Sequence, residues 1–315
     1  MPPAGEETDM QTAGIVLEKI LFVGVMIAVG FLCGKLGVIN RETNRKASEL
    51  LLLVISPCLI LTSYQVDFSP ALLHNLLLAF GLSAICFAIH LLCAYVFIRP
   101  NRPDAEVERM SVIYSNCMFL GIPLVQALYG PEGVLYLTAY VTGFNLLFWT
   151  QGVILMSGRG DWRLMLKKLC SPALLSIAVG LTLFLLRVRL PEVVRAPLAA
   201  ISDMNTPLAM LIAGATIAET DMKSCLLQPR IYRVVLLKMI AVPALAELAL
   251  CFLPVEPILL LSMILAAACP TASYCTMFAH RYGKNSGYAA QIFTLTTLSS
   301  LVMLPLVVLT ADLLL

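Results

Sequence analysis

The chain has 315 residues, 60% of them hydrophobic and 13% charged, with a formal net charge of +2. A soluble domain of this size needs far more polar surface, so the composition excludes one and points to a multi-span membrane protein. The near-neutral balance gives no electrostatic footprint for a nucleic-acid partner.

The first twelve residues, MPPAGEETDMQT, are acidic and lack Lys and Arg. A secretory leader needs a basic start, so the first apolar run reads as a retained span. At about 20 apolar residues per helix, ten spans emerge, at approximately 13–34, 47–65, 70–98, 109–129, 132–157, 169–188, 197–220, 231–253, 256–281 and 286–312. The expected fold is all-α and polytopic: an extracytoplasmic tail (1–12), five spans (13–157), a short cytoplasmic linker (158–168) and five more spans (169–312). Ten cysteines fall mostly within the apolar runs, without a CxxC pair or a His-rich cluster. They read as packing residues, with neither a metal site nor a disulfide framework.

Basic residues alternate between connections. The odd-numbered ones carry Lys35, Arg41, Arg45 and Lys46; Arg99, Arg102 and Arg109; Arg159, Arg163, Lys167 and Lys168; Lys223, Arg230 and Arg233; and Arg281 and Lys284. The even-numbered side holds Arg187, Arg189 and Arg195. The excess places the odd connections in the cytoplasm and both termini outside.

Five spans per unit is an odd number, so a second unit of five inserts upside down. Prolines recur in register. Pro57 in span 2 and Pro207 in span 7 are 150 residues apart, and Pro123 in span 4 and Pro270 in span 9 are 147 apart. The span-4 and span-9 stretches both end on Tyr-Gly, at Gly130 and Gly283. Proline removes an N–H and clashes with the preceding turn, so a helix is expected to open there. In lipid such an opening is tolerated only where it is buried or lines a cavity. Matched breaks in inverted repeats are the signature of secondary transporters. The half-helices beyond Pro123 and Pro270 would aim their N-termini at the membrane centre, a setting suited to an anion.

SNCMFLGIPLVQALYG (115–130) resembles the span-4 signature of the auxin efflux carrier family, which includes plant auxin exporters and bacterial malonate or dicarboxylate permeases. PTASYCTMFAHRYG resembles the span-9 signature, and NTPLAMLIAG and LTTLSSLVMLPL resemble parts of spans 7 and 10. The likeness runs from about residue 14 to 312. It implies two inverted five-helix repeats, a scaffold part and a transport part, and broken helices 4 and 9 that cross at the substrate. Ser115, Asn116, Gly121, Pro123, Pro270 and Thr271 are then the expected substrate-binding positions. Tyr274 joins them, standing where bacterial relatives often carry an amide. The short fifth connection, RGDWRLMLKK, matches the bacterial form. A homodimer in the inner membrane is also implied.

Polar residues inside spans are functional candidates by default. Asp203, Asn205, Pro207 and Pro57 are expected to serve coupling or gating. Lys19 and Lys238 read as snorkelling lysines, and His90 as a hydrogen-bonded packing histidine. Asn145, Gln151 and Gln291 read as interhelical amides. Gly214 reads as a hinge or a close-packing point. No nucleophile–base pair or HExxH pattern is present, so no enzyme is expected. The sequence thus predicts a carrier for a small organic anion (a dicarboxylate or an auxin-like carboxylate) working by alternating access in the lipid bilayer. It needs no cofactor, and coupling to H+ or Na+ is open. A channel or a sensor without coupled transport is the alternative.

Overall fold

The computed structural model describes residues 21–158, 171–220 and 225–314, with the side chains of 312 and 313 excepted. The tail, Glu18 and Lys19, most of the 158–168 linker, Cys170 and Lys223 lie outside the described residues. Among the described residues the regular elements are all helices. In chain order the helices are α1 (Leu21–Lys35), α2 (Arg41–Leu50), α3 (Ser56–Ser63), α4 (Pro70–Phe97), α5 (Ala105–Ile113), α6 (Ile122–Leu147), α7 (Val153–Ser157), α8 (Pro172–Leu185), α9 (Glu192–Ser202), α10 (Asn205–Glu219), α11 (Pro229–Leu236), α12 (Val242–Leu250), α13 (Pro257–Ala268), α14 (Tyr274–Arg281) and α15 (Ser286–Leu314). Five continuous helical stretches are long and apolar enough to cross a membrane: Arg41–Ser63, Pro70–Phe97, Cys117–Ser157, Glu192–Glu219 and Ser286–Ala311. Large apolar side chains such as Leu77, Leu92, Val96 and Phe97 on α4 are exposed. Such a surface suits lipid, not water. The fold is a helical multi-pass membrane protein.

Local sequence explains the helix starts. Ser69 before Pro70 and Ser171 before Pro172 each accept a hydrogen bond from a first-turn N–H, and proline follows where its missing N–H costs nothing. The interior prolines behave differently from expectation. Four π turns occur among the described residues, at Leu51–Ile55, Cys117–Gly121, Phe148–Gly152 and Leu237–Ala241. Three of them end two residues before a proline: Pro57, Pro123 and Pro243. A π turn widens the helix and so relieves the clash between the proline ring and the preceding turn. Pro57 and Pro123 therefore continue their helices without opening them. Pro207 sits in the first turn of α10, just after a bend at Asp203–Met204. Of the four matched prolines, Pro270 alone lies in non-helical backbone.

Gly130 and Gly283 both have φ of +64°. At Gly130 ψ is −156°, a region that residues with a Cβ avoid. The two Tyr-Gly motif ends are thus the turns at which α6 bends sharply and α14 stops.

The helices pack in two groups. One contains α1, α2, α3, α8, α9 and α10; the other contains α4 to α7 and α11 to α15. They meet where α3 and α8 lie against α6, and where α10 lies against the 117–121 turn, α6 and α15. Backbone approaches backbone inside the first group: a Cβ on Gly214 would fall 2.0 Å from the Ile27 carbonyl oxygen of α1.

An ionic cluster ties the start of α5 to α11 and α15. The fully buried Glu108 carboxylate meets the guanidiniums of Arg233 and Arg230, the latter at 3.3 Å, and accepts a hydrogen bond from Tyr288 at 2.9 Å. Removing one member of a buried ion pair leaves an uncompensated charge and costs about 3–5 kcal/mol. Glu108→Ala is therefore expected to lower the melting temperature in detergent markedly, with Glu108→Gln in between. Nearby, the Lys284 ammonium beside Glu106 holds that carboxyl below its usual range. Its contribution exists above the unfolded value and is lost as acid takes the pH through the lowered one. Partial exposure keeps it below about 1 kcal/mol.

Candidate functional site

The site forms where two helices stop. α5 ends at Ile113, residues 114–116 are extended or irregular, and helix resumes as the 117–121 turn running into α6. α13 ends at Ala268, and helix resumes at Tyr274. The two gaps pair with each other. Ser115 and Thr271 form an antiparallel bridge. The Asn116 N–H donates to the Pro270 carbonyl at 2.7 Å, and the Ala272 N–H donates to the Tyr114 carbonyl at 2.9 Å. Backbone that leaves a helix at membrane depth must find partners, and here each gap supplies them to the other.

Side chains lock the pair in place. Thr271 Oγ1 donates to the Ser111 carbonyl at 2.9 Å, while its N–H donates to Thr296 Oγ1 of α15 at 3.3 Å. Gly121 gives room for Cys269: a Cβ there would meet its Sγ at 3.2 Å. Antiparallel pairing sends the following helices off in opposite directions. Each side of the crossing thus receives one helix N-terminus, with its first N–H groups unspent by the helix, and one C-terminus.

At the crossing, the side chains of Asn116 and Tyr274 make no hydrogen bond to any described residue. Asn116 is 4% exposed, yet its amide makes no hydrogen bond to any described residue. Tyr274 is half-buried, with its ring against Phe119, Phe144 and Phe148 at centroid distances of 6.3, 6.2 and 5.5 Å. An unpaired amide and a phenol beside helix N-termini offer donors to a carboxylate, and the aromatic wall offers a flat apolar surface.

Ser115, Asn116, Gly121, Pro270 and Thr271 are therefore brought together, with Tyr274 alongside. Pro123 lies one turn into the helix beyond. Asn205 lies elsewhere, where Ser56, next to Pro57, donates its Oγ–H to Asn205 Oδ1 at 3.0 Å, and Asn205 Nδ2 is buried without a partner among the described residues. Asp203 is exposed at the end of α9, next to Met204, and makes no ion pair among the described residues. Pro207 is also exposed.

The structure adds residues that the sequence reading had set aside. Lys238 does not snorkel; it is fully buried in the 237–241 turn. Its Nζ lies 2.6 Å from Ser115 Oγ, 3.0 Å from His90 Nε2 and 3.3 Å from the Val112 carbonyl oxygen. His90 is hydrogen-bonded and buried as expected, but at the crossing. Its Nδ1 is 2.7 Å from the Cys86 carbonyl and its Nε2 3.1 Å from Ser115 Oγ. Tyr140 completes the cluster, its hydroxyl 3.2 Å from Ser115 Oγ. The signal available in the sequence was an ionisable residue near the start of an apolar run, five positions before Pro243. Gln151 accepts from Tyr114 at 2.5 Å, and Asn145 donates to the Val141 carbonyl at 2.8 Å within its own helix. No group of three metal-ligating side chains occurs among the described residues.

A profile of the membrane transport protein family matches the chain over residues 15–164 and 162–308. The chain belongs to this family. It is the auxin efflux carrier family that the span-4 and span-9 motifs resemble. A curated relative from Methanothermobacter thermautotrophicus (strain Delta H), described as an uncharacterized transporter, is 27% identical over 206 residues, covering 64% of this chain and 67% of its own. Family and fold together make this a transmembrane transport protein of the permease type.

Proposed function

We propose that the protein is a secondary active carrier that moves a small organic anion across the cytoplasmic membrane by alternating access. The anion, a dicarboxylate or an auxin-like carboxylate, sits at the crossing of the two interrupted helices. The observation that carries this reading is the mutual pairing of the gaps at Ser115 and Thr271 beside the unpartnered Asn116 amide. That arrangement concentrates donors and helix N-termini at one buried point, as anion recognition requires.

Ten spans in two inverted five-helix units, with both termini outside, is the topology we favour. The family profile's two matched stretches meet at residues 162–164, where the sequence divides into its halves. Contacts between halves are also reciprocal. α1 of the first half packs on α10 of the second at Gly30 and Gly214, and α8 of the second packs on α3 of the first, where Gly180 faces Tyr64. The two packing groups then serve as scaffold (α1 to α3 and α8 to α10) and transport part. Between them, lined by Val23, Leu120, Leu124, Ser300, Leu301 and Leu304, lies a gap of about 10 Å³. That is room for one water. An organic anion does not fit this gap, so a route between the groups at this point needs them to move apart, as the groups of a carrier do.

The test is counterflow in proteoliposomes preloaded with malonate, succinate or indole-3-acetate, each with its radiolabelled form outside. Saturable accumulation of at least one label is expected. Linear, non-saturable flux would mark a channel instead, and no flux from folded protein would remove the anion reading. Asp203→Asn is expected to leave counterflow within about twofold, because its exposed carboxylate stands apart from the crossing.

A further inference from the structure

Lys238 places a cationic side chain at zero exposure, and no carboxylate among the described residues pairs with it. Glu108, the buried carboxylate on the neighbouring α5, is committed to Arg230, Arg233 and Tyr288. Unpaired buried charge is costly, and in a membrane it marks function.

The neighbours fit an ammonium. Nδ1 of His90 faces the Cys86 carbonyl, so that nitrogen carries the ring hydrogen and Nε2 is an acceptor. Ser115 Oγ, His90 Nε2 and the Val112 carbonyl then give three acceptors for three N–H donors. Ser115 passes its own hydrogen to the Ala267 carbonyl at 3.2 Å. Val112 and Ala267 belong to the last turns of α5 and α13, whose C-terminal ends carry partial negative charge. The ammonium thus sits behind the crossing, one residue from Asn116, against both helix C-termini. The other titratable groups facing it are Cys93 of α4, Cys117 of the 117–121 turn, Cys269 after α13 and Cys275 of α14, with Tyr140 of α6 reached through Ser115.

We infer that Lys238 is the proton-binding site of the transport cycle, and that Ser115 reports its protonation state to the crossing. The inference rests on the carrier reading above and names its coupling ion. On release, one Nζ–H bond breaks, the proton passes to water and the electron pair stays on nitrogen. The Ser115 hydroxyl then turns from the Ala267 carbonyl to donate to the free amine. Loaded with a singly charged anion and a protonated Lys238, the site carries no net charge. Empty with a neutral amine, it carries none either. The two half-loaded forms carry net charge through a low-dielectric interior and are disfavoured. Anion and proton therefore travel together, one proton in each cycle, so the site carries a monocarboxylate or a singly protonated dicarboxylate without net charge.

The experiment uses proteoliposomes on a solid-supported membrane, first with a pH jump and no organic substrate, then with malonate or indole-3-acetate. Wild type is expected to give a transient charge displacement on the pH jump alone, and Lys238→Met to reduce it at least tenfold. Lys238→Arg keeps a permanent charge and is expected to lose pH-driven uptake; it also serves if the Met variant does not fold. A displacement unchanged in either folded variant, or absent from wild type, overturns the inference. The two readings fail separately. A Lys238-dependent displacement with no movement of either organic anion leaves the proton site standing and removes the anion. Saturable anion uptake indifferent to pH, with no displacement, does the reverse.

Discussion

Asn116→Ala is expected to cut transport by one to two orders of magnitude without lowering the melting temperature. The backbone of Asn116 is held independently of its side chain: its N–H donates to Pro270, and its carbonyl accepts from Leu120 and Gly121 at 3.0 and 3.2 Å. Truncation at Cβ therefore leaves the pairing of the two gaps in place. What disappears is an almost fully buried amide with no partner. No side-chain hydrogen bond to the described residues is lost with it, so the empty protein keeps its stability. A hydrogen bond to a charged ligand is worth about 1.5–3 kcal/mol, or roughly 10- to 150-fold, and should appear chiefly as a raised KM for counterflow. Asn116→Asp should be worse, because its charge repels an anion. A variant with normal KM and a lowered melting temperature would make Asn116 a structural residue and move the substrate elsewhere.

The membrane class and the two special stretches were legible because they depend on composition and on local rules. Hydropathy marks a membrane chain, and the Tyr-Gly motif ends that matched as a repeat fall on the two positive-φ turns at Gly130 and Gly283. The position of the break was not legible. Proline was expected to open the helix at Pro123, but a π turn absorbs its clash and the opening falls at 114–116. Nothing local demands that; the gap is stabilised by Thr271 and its neighbours, more than 150 residues away. The buried cluster was hidden for the same reason. His90 and Lys238 are 148 residues apart, and each alone reads as ordinary: a packing histidine and a lysine near a span end. Only the fold brings them to Ser115, whose own place in the broken span could be read from the sequence. Motifs that act through backbone are thus visible in the chain, whereas charges that act through tertiary contact are not.

Gly214→Leu is expected to prevent α1 and α10 from assembling, and Gly214→Ala to destabilise by about 1–3 kcal/mol. In a membrane, helices gain little by burying apolar surface, so association relies on close backbone approach at small residues. Here the approach is extreme. An added Cβ at Gly214 would lie 2.0 Å from the Ile27 oxygen and 2.6 Å from the Phe31 nitrogen; one at Gly30 would lie 2.4 Å from the Leu211 oxygen. These are backbone atoms, so no rotamer change relieves the clash and the helices must separate. Gly34 continues the seam four residues on, against Ala215 and Ala218. Gly24, on the same α1, has open space where a Cβ would go. Gly24→Ala is therefore the control and should stay within about 0.5 kcal/mol of wild type. Thermal or SDS unfolding in detergent measures all three. The double variant Gly30→Ala with Gly214→Ala should cost less than the sum of its parts, since either methyl already wedges the same contact apart. Full additivity would mean that the helices yield independently at the two points, and the seam would then not be the rigid element on which the scaffold group is built.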